Sequence, residues 1–194
     1  MIFDDENKTI LLKIVYYGPA MSGKTTSLKY LFSYFKKSDR VESIESTTGR
    51  TLFFDFGVLL FKGLNWDLKL LLYSATGQDF YSSTRPATLR GVDGIIFVVD
   101  SQVKYLERNI NSWNELKNYF GEKLYDIPIV ISLNKSDLYN IEKIEESDFF
   151  YYLGLNNYKS LSFNKTVALN GCGILESFQK IITFIFPHLE IINN

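Results

Sequence analysis

An eight-residue segment with two glycines places the strongest constraint on what this chain can fold into. It fits the pattern G-x-x-x-x-G-K-[ST] in full and reads Gly18-Pro19-Ala20-Met21-Ser22-Gly23-Lys24-Thr25. An apolar run rich in β-branched and aromatic residues precedes it at residues 9–17, and residues 25–37 carry apolar side chains at helical spacing. The segment therefore lies between a predicted strand and a predicted helix, which is the context of a phosphate-binding loop.

Phosphate binding by such a loop depends on its backbone and on two side chains. Glycines let the backbone wrap so that successive N–H groups point at phosphate oxygens, and the following helix directs its positive end at the same anion. We expect the Lys24 ammonium to bridge the β- and γ-phosphates and the Thr25 hydroxyl to coordinate Mg²⁺. The alternative is a glycine-rich turn with a surface lysine, which leaves the agreement of both flanking elements unexplained. The other loop residues predicted to bind nucleotide are Gly18, Ala20, Met21, Ser22, Gly23 and Thr26.

The rest of the chain alternates predicted strands and helices. Continuous apolar runs at residues 94–100 and 127–133 are typical of parallel strands that are covered on both faces, and residues 104–120 are a plausible crossover helix. The pattern predicts an α/β three-layer fold with a mostly parallel sheet, one antiparallel edge strand and helices on both faces, in one domain of residues 1–194. The other predicted elements are an exposed loop (38–49), a strand pair (51–61 and 66–73), a helix (147–153), a strand (161–168) and a last helix (174–186).

The composition excludes several classes of protein. Lys and Arg number 21 against 22 for Asp and Glu, and 46% of the residues are hydrophobic, so neither disorder nor nucleic-acid binding is indicated. Apolar runs such as residues 94–99 are far shorter than the roughly 20 residues that cross a bilayer. A single cysteine, Cys172, an acidic start and the lack of a lipid acceptor at either end predict a cytoplasmic protein without a membrane span or lipid anchor.

A second motif indicates which base the nucleotide carries. The predicted strand at residues 127–133 leads into Asn134-Lys135-Ser136-Asp137, an N-K-x-D box at the edge where α/β sheets bind ligands. The Asp137 carboxylate can accept two hydrogen bonds from guanine, whereas adenine offers no such donor pair. Asn134 is expected to tie this loop to the phosphate loop, the Lys135 stem to cover the base, and the Ala168 N–H to reach the guanine O6. Alone, N-K-x-D is also a common surface tetrapeptide; its place after a phosphate loop favours guanine binding.

These motifs resemble the MglA-like proteins, which are prokaryotic Ras-superfamily GTPases that act in cell polarity and motility with a Roadblock-domain partner, MglB. The resemblance is carried by residues 13–19, 22–26, 50–56 and 91–94. It runs from about Thr9 to Asp137 and then thins to the general fold. Arg85-Pro86 and residues 96–101 also resemble Arf-like GTPases.

The resemblance implies a magnesium-dependent GTP-to-GDP switch with four catalytic residues, of which Lys24 is one. Thr51 matches the first-switch threonine that binds Mg²⁺ beside Thr25 and senses the γ-phosphate. Gln78 matches the residue that orients the attacking water, Gly77 the glycine whose N–H meets the γ-phosphate, and Arg50 an intrinsic arginine finger. Simpler interpretations remain open for these positions: Thr51 begins a strand, Arg50 is a solvated charge and Gln78 caps a turn. Arg85 and Arg90 are rival candidates for the arginine finger; the favoured interpretation is that they hold the second switch or contact a partner.

Three positions depart from the usual pattern. Ser74 replaces the second-switch Asp that orders a magnesium-bound water, Thr76 stands where MglA-like proteins have Pro, and Ala20 stands where they have Gly. These departures indicate weaker Mg²⁺ ordering and slow intrinsic hydrolysis. A rival hypothesis is an Arf-like or signal-receptor-like scaffold whose nucleotide is structural and which hydrolyses little GTP. A third hypothesis is a P-loop kinase, which would need an ATP pocket. Asp137, predicted to bind guanine, argues against it.

Overall fold

The computed structural model describes residues 1–36, 41–46, 54–77 and 84–187. Strands and α-helices alternate along most of these ranges. The strands are β1 (Ile2–Asp4), β2 (Thr9–Tyr17), β3 (Val41–Ser46), β4 (Phe54–Phe61), β5 (Asp67–Ala75), β6 (Gly94–Asp100), β7 (Ile129–Asn134) and β8 (Leu161–Thr166). The helices are α1 (Lys24–Phe35), α2 (Arg85–Leu89), α3 (Leu106–Phe120), α4 (Glu146–Leu153) and α5 (Ile174–Ile185).

The eight described strands form one sheet in the order β3-β4-β5-β2-β6-β7-β8, with β1 paired antiparallel to β2. Neighbours from β5 through β2, β6 and β7 to β8 pair in parallel. Parallel strands end at the same edge of a sheet, and the register aligns Tyr17 with Phe97 and Asp100 with Asn134. The carboxyl ends of β2, β5, β6, β7 and β8 therefore lie along one edge of the sheet.

Two apolar layers cover the two faces of the sheet. Along β2, Leu12, Ile14 and Tyr16 pack into a cluster with α1 and α5, whereas Val15 and Tyr17 pack into a second cluster with α3 and α4. Every residue of β6 and β7 is buried, as expected for parallel strands covered on both sides. The predicted α/β three-layer fold with a mostly parallel sheet is confirmed. No helix within the described ranges has the length and apolar character needed to span a membrane.

Two features of the sheet differ from the prediction. Part of the predicted exposed loop at residues 38–49 is β3, which pairs antiparallel with β4 from Val41 opposite Phe61 to Ser46 opposite Phe56. An edge strand is held by backbone hydrogen bonds to one neighbour, so its polar sequence does not prevent pairing. The antiparallel β4 consequently lies second from the edge rather than at it, and β1 is a further strand that the sequence pattern did not reveal.

Candidate functional site

The phosphate loop connects β2 to α1, and two of its glycines occupy backbone positions that other residues fit poorly. Gly18 has φ +138°, and a Cβ there would lie 2.1 Å from the Val98 carbonyl oxygen in β6. Gly23 has φ +109°, and a Cβ there would lie 2.1 Å from Asn134 Nδ2 in β7. Both contacts are far inside van der Waals distance. The two glycines thus allow the loop to pack directly on the ends of the central strands.

Lys24 places a positive charge within this loop. Its side-chain Nζ donates hydrogen bonds to the carbonyl oxygens of Gly18, at 2.7 Å, and Pro19, at 2.6 Å. The residue is only 6% exposed. These two bonds hold the ammonium against the backbone of the phosphate loop. A cavity of about 370 Å³ beside it is lined by Ala20, Met21, Gly23, Lys24, Thr25, Thr26, Ser74, Ala75, Thr76 and Gly77.

Two hydroxyl groups stand at this cavity where a magnesium ion is predicted. Thr25 Oγ1 in α1 lies 3.3 Å from Ser74 Oγ in β5. Hydroxyl oxygens are suitable ligands for Mg²⁺, directly or through water, so the residues present fit the ion. The other predicted magnesium ligand, Thr51, lies outside the described residues, as do Arg50 and Gln78.

Gly77, after β5, packs closely on the phosphate loop. A Cβ on Gly77 would lie 2.4 Å from the backbone nitrogen of Ala20 and 2.6 Å from its Cα. This contact brings the backbone predicted to sense the γ-phosphate against the loop predicted to bind it. The space left for any larger residue at position 77 is negligible.

Asn134, the last residue of β7, joins the phosphate loop to the base-binding loops. Its Nδ2 donates to the Ser22 carbonyl at 2.7 Å, as the sequence predicted, and its Oδ1 accepts from the Ala168 N–H at 2.9 Å and from Thr166 Oγ1 at 3.3 Å. The side chain is buried, so these bonds form without competition from water. The predicted contact of the Ala168 N–H with guanine O6 stays a prediction. In this structure the same N–H donates to Asn134 Oδ1, so the two acceptors would compete for it.

A second cavity, of about 210 Å³, adjoins the phosphate cavity on the side of the N-K-x-D box. Met21 lines both cavities and is 86% exposed. The structure therefore brings the predicted phosphate-binding and base-binding residues into one continuous region. The residues lining the second cavity are Met21, Gly23, Thr26, Asn134, Lys135, Asp137, Leu138, Val167, Ala168 and Leu169.

Lys135 is held by a carboxylate that the sequence did not single out. Its Nζ lies 2.5 Å from Oδ2 of Asp100, the last residue of β6. The Asp100 side chain is 6% exposed, and its other oxygen accepts from the Gln102 backbone N–H at 3.1 Å and from Gln102 Nε2 at 2.9 Å. This network fixes the direction of the Lys135 stem. The one signal in the sequence was the position of Asp100 at the end of a predicted central strand.

The loop after β8 is supported from beneath by α1. Gly171 has φ +86°, and a Cβ there would lie 1.7 Å from Cζ of Tyr30. The Gly171 N–H donates to the Val167 carbonyl at 2.9 Å, which closes the turn that contains Ala168. The aromatic ring of Tyr30 therefore limits how closely this loop approaches α1. No pattern in the sequence indicates this contact, because the two residues are far apart in the chain.

Residues 3–185 match a sequence model of the ADP-ribosylation factor (Arf) family. The chain belongs to this family. It is accordingly a small GTPase that binds guanine nucleotides, and the predicted GTP hydrolase class and Ras-superfamily resemblance are confirmed.

Individual relatives of the GTPase come from several branches of the superfamily. The mutual gliding-motility protein MglA of Myxococcus xanthus (strain DK1622) is 34% identical over 190 residues, which cover 95% of each chain. The ADP-ribosylation factor-like protein 6 of Caenorhabditis elegans is 31% identical, over 92% of the GTPase and 89% of the relative. The Ras-related protein Rab-11C of Dictyostelium discoideum is 27% identical, over 94% and 75%. The similarity to MglA agrees with the predicted MglA-like resemblance.

Proposed function

We propose that this GTPase is a magnesium-dependent switch that controls cell polarity, motility or a related process together with a Roadblock-type, MglB-like regulator. The observation that carries the proposal is the 34% identity to a gliding-motility protein over 95% of both chains. The aligned region spans 190 residues and therefore nearly the whole length of both proteins. The switch acts as one domain in the cytoplasm.

The phosphate groups are bound by the loop between β2 and α1. Backbone N–H groups from Ala20 to Thr26 bind the phosphate oxygens, and the buried Lys24 ammonium supplies the charge for the β- and γ-phosphates. Thr25 and Thr51 hold Mg²⁺, which when bound neutralises charge on the phosphates. The Thr25 hydroxyl already lies at the phosphate cavity beside Ser74, which supports this assignment.

Guanine is selected by the second cavity. Asp137 lines this cavity, is exposed at its mouth, and accepts hydrogen bonds from the base. Asn134 holds the cavity wall to the phosphate loop, and Lys135, fixed by Asp100, covers one face of the base. Binding of the guanine O6 by the Ala168 N–H would require this N–H to leave or share its bond with Asn134 Oδ1.

Hydrolysis depends on the two segments that change with the γ-phosphate. The Gly77 N–H binds that phosphate, Gln78 orients the attacking water, and Arg50 neutralises charge in the transition state. Loss of the γ-phosphate releases Thr51 and Gly77, and the Roadblock-type regulator distinguishes the two states. The close packing of Gly77 on Ala20 supports the assignment of Gly77.

A single-turnover experiment tests this proposal. The purified protein is loaded with GTP and Mg²⁺, and conversion to GDP is followed in the wild type, Arg50→Ala and Gln78→Ala, with ATP as the control nucleotide. GTP-specific conversion that both variants lose would support a self-contained switch. Tight GTP binding with negligible conversion, with or without a Roadblock-domain protein, would instead favour a nucleotide-stabilised scaffold.

A further inference from the structure

Arg85, the first residue of α2, connects three separate parts of the fold. Its Nε donates a hydrogen bond to the Thr76 carbonyl oxygen at 2.9 Å, and its Nη1 donates to the Glu115 carboxylate in α3. The residue is only 7% exposed. Both contacts are charge-assisted and use the planar guanidinium, so they fix direction as well as distance. Arg85 therefore joins the start of α2, the end of β5 and the middle of α3.

The Thr76 carbonyl belongs to the same peptide group as the Gly77 N–H. The peptide group is planar, and the described residues contain no cis peptide bond, so this C=O and N–H point in opposite directions. A hydrogen bond that fixes the carbonyl therefore also fixes the direction of the N–H. The Gly77 backbone is further confined by its contact with Ala20.

Arg85 and the predicted nucleotide lie in different cavities that share Gly77. Arg85 and Glu115 line a cavity of about 430 Å³ that also includes Pro19, Ala20 and Gly77. The phosphate cavity includes Thr76 and Gly77 but not Arg85. Arg85 holds the Thr76 carbonyl from the cavity that it shares with Glu115. The Gly77 N–H, on the opposite side of the same peptide group, is then left for the phosphate cavity.

α3 holds Arg85 and the start of α2 in place. Besides the Glu115 contact, the Tyr119 hydroxyl donates to the Pro86 carbonyl at 3.1 Å. Burial, and after it the charge of Glu115, raises the pKa of the nearby Tyr17 hydroxyl, so that Tyr17 stays neutral. Tyr17 therefore adds no negative charge that would compete with Glu115 for Arg85.

We propose that Arg85 is a positioning residue for γ-phosphate recognition. By holding the Thr76 carbonyl, it presents the Gly77 N–H to the γ-phosphate and so sets the preference of the protein for GTP over GDP. This inference rests on the proposed contact between the Gly77 N–H and the γ-phosphate. GDP has no γ-phosphate, so its binding does not depend on Arg85.

The test compares the affinities of GDP and of a non-hydrolysable GTP analogue, in the presence of Mg²⁺. In Arg85→Met, we expect the affinity for the analogue to fall about tenfold relative to that for GDP, because a charge-assisted hydrogen bond that orients the peptide is lost. Lys123→Met is the control for the loss of one positive charge, since Lys123 is exposed and lines neither the phosphate cavity nor the Arg85 cavity. It should keep the wild-type ratio.

Two milder variants keep the test decisive if Arg85→Met folds poorly. Glu115→Gln, at a side chain that is 34% exposed, removes the charge that holds Arg85 and should shift the ratio in the same direction by a smaller factor. Arg85→Lys keeps the charge without the planar fork and should restore the ratio only in part. A purely structural role would lower the thermal midpoint and weaken both nucleotides equally.

Two results would overturn the inference in distinguishable ways. An unchanged ratio in Arg85→Met and Glu115→Gln, with a wild type that prefers the GTP analogue, would refute the role of Arg85 alone. A wild type that binds both nucleotides equally would refute the proposed γ-phosphate contact of Gly77, and the inference with it.

Discussion

Thr25 Oγ1 and Ser74 Oγ lie 3.3 Å apart, so that the first turn of α1 and the end of β5 present two neutral hydroxyls to the phosphate cavity. Many sites of this kind place a carboxylate at the position of Ser74. A serine hydroxyl carries no charge and attracts a divalent cation less strongly than an aspartate does. The pair would therefore give the proposed magnesium site little negative charge from β5.

Ser74→Asp should strengthen magnesium binding. We expect the Mg²⁺ concentration that half-maximally slows GDP release to fall several-fold, because a carboxylate adds attraction for the cation. Release of a fluorescent GDP analogue during a magnesium titration measures this. Ser74→Asn is the control of equal size without charge, and an equal shift in that variant would show that size rather than charge is responsible.

Asn134→Ala should disable nucleotide binding and lower stability together. The substitution removes hydrogen bonds to Ser22, Thr166 and Ala168 and leaves buried polar groups unpaired, at a cost of about 2–4 kcal/mol. We expect a lower thermal midpoint and at least a hundredfold weaker GDP binding. Calorimetry and nucleotide titration measure the two effects, and a variant with wild-type affinity would contradict the role assigned to Asn134.

Asp100→Asn should weaken both nucleotides equally. The change removes the charge that fixes Lys135, and we expect GDP and GTP-analogue affinities to fall about five- to tenfold with an unchanged ratio. The control is Asp126→Asn, which breaks an exposed ion pair with Lys159 and should leave affinity unaltered. A changed GTP-to-GDP ratio would point instead to an effect on Gly77.

Gly171→Ala should displace the loop that carries Ala168. The added methyl would overlap the Tyr30 ring, and the residue would also keep a positive φ. Gly91→Ala is the control, since Gly91 has φ +68° with open space around it and suffers only the backbone cost of about 1 kcal/mol. We expect a larger loss of guanine-nucleotide affinity in Gly171→Ala, in part rescued by Tyr30→Ala, as measured by titration.

The sequence was most informative where a motif of known chemistry lay beside a recognisable strand or helix pattern. The motif from Gly18 to Thr25 and the apolar run of β6 each predicted an element and its position at one sheet edge. Asn134 could be assigned its link to the phosphate loop because its strand was recognisable. The predictions for Arg50, Thr51 and Gln78 remain predictions, since these residues lie outside the described ranges.

Other contacts could not be predicted because they depend on packing between distant segments. The bond from Arg85 to the Thr76 carbonyl uses a backbone acceptor, which any residue supplies. The packing of Gly171 on Tyr30 depends on the distance between the loop after β8 and α1, which no residue pattern indicates. β3 is held by backbone pairing with β4 and does not depend on apolar side chains. Its largely polar sequence therefore lacks the apolar pattern by which a strand is recognised.

The bond between Asn134 and Ser22 spans 112 positions of the chain, with consequences for the order of events during synthesis. A ribosome that has made β2 and α1 has completed the phosphate loop, yet the side chain that secures it is still untranslated. Ala168, which completes the other side of Asn134, appears later still. The support of the phosphate loop is therefore completed only late in translation, once β7 and the loop after β8 have been made.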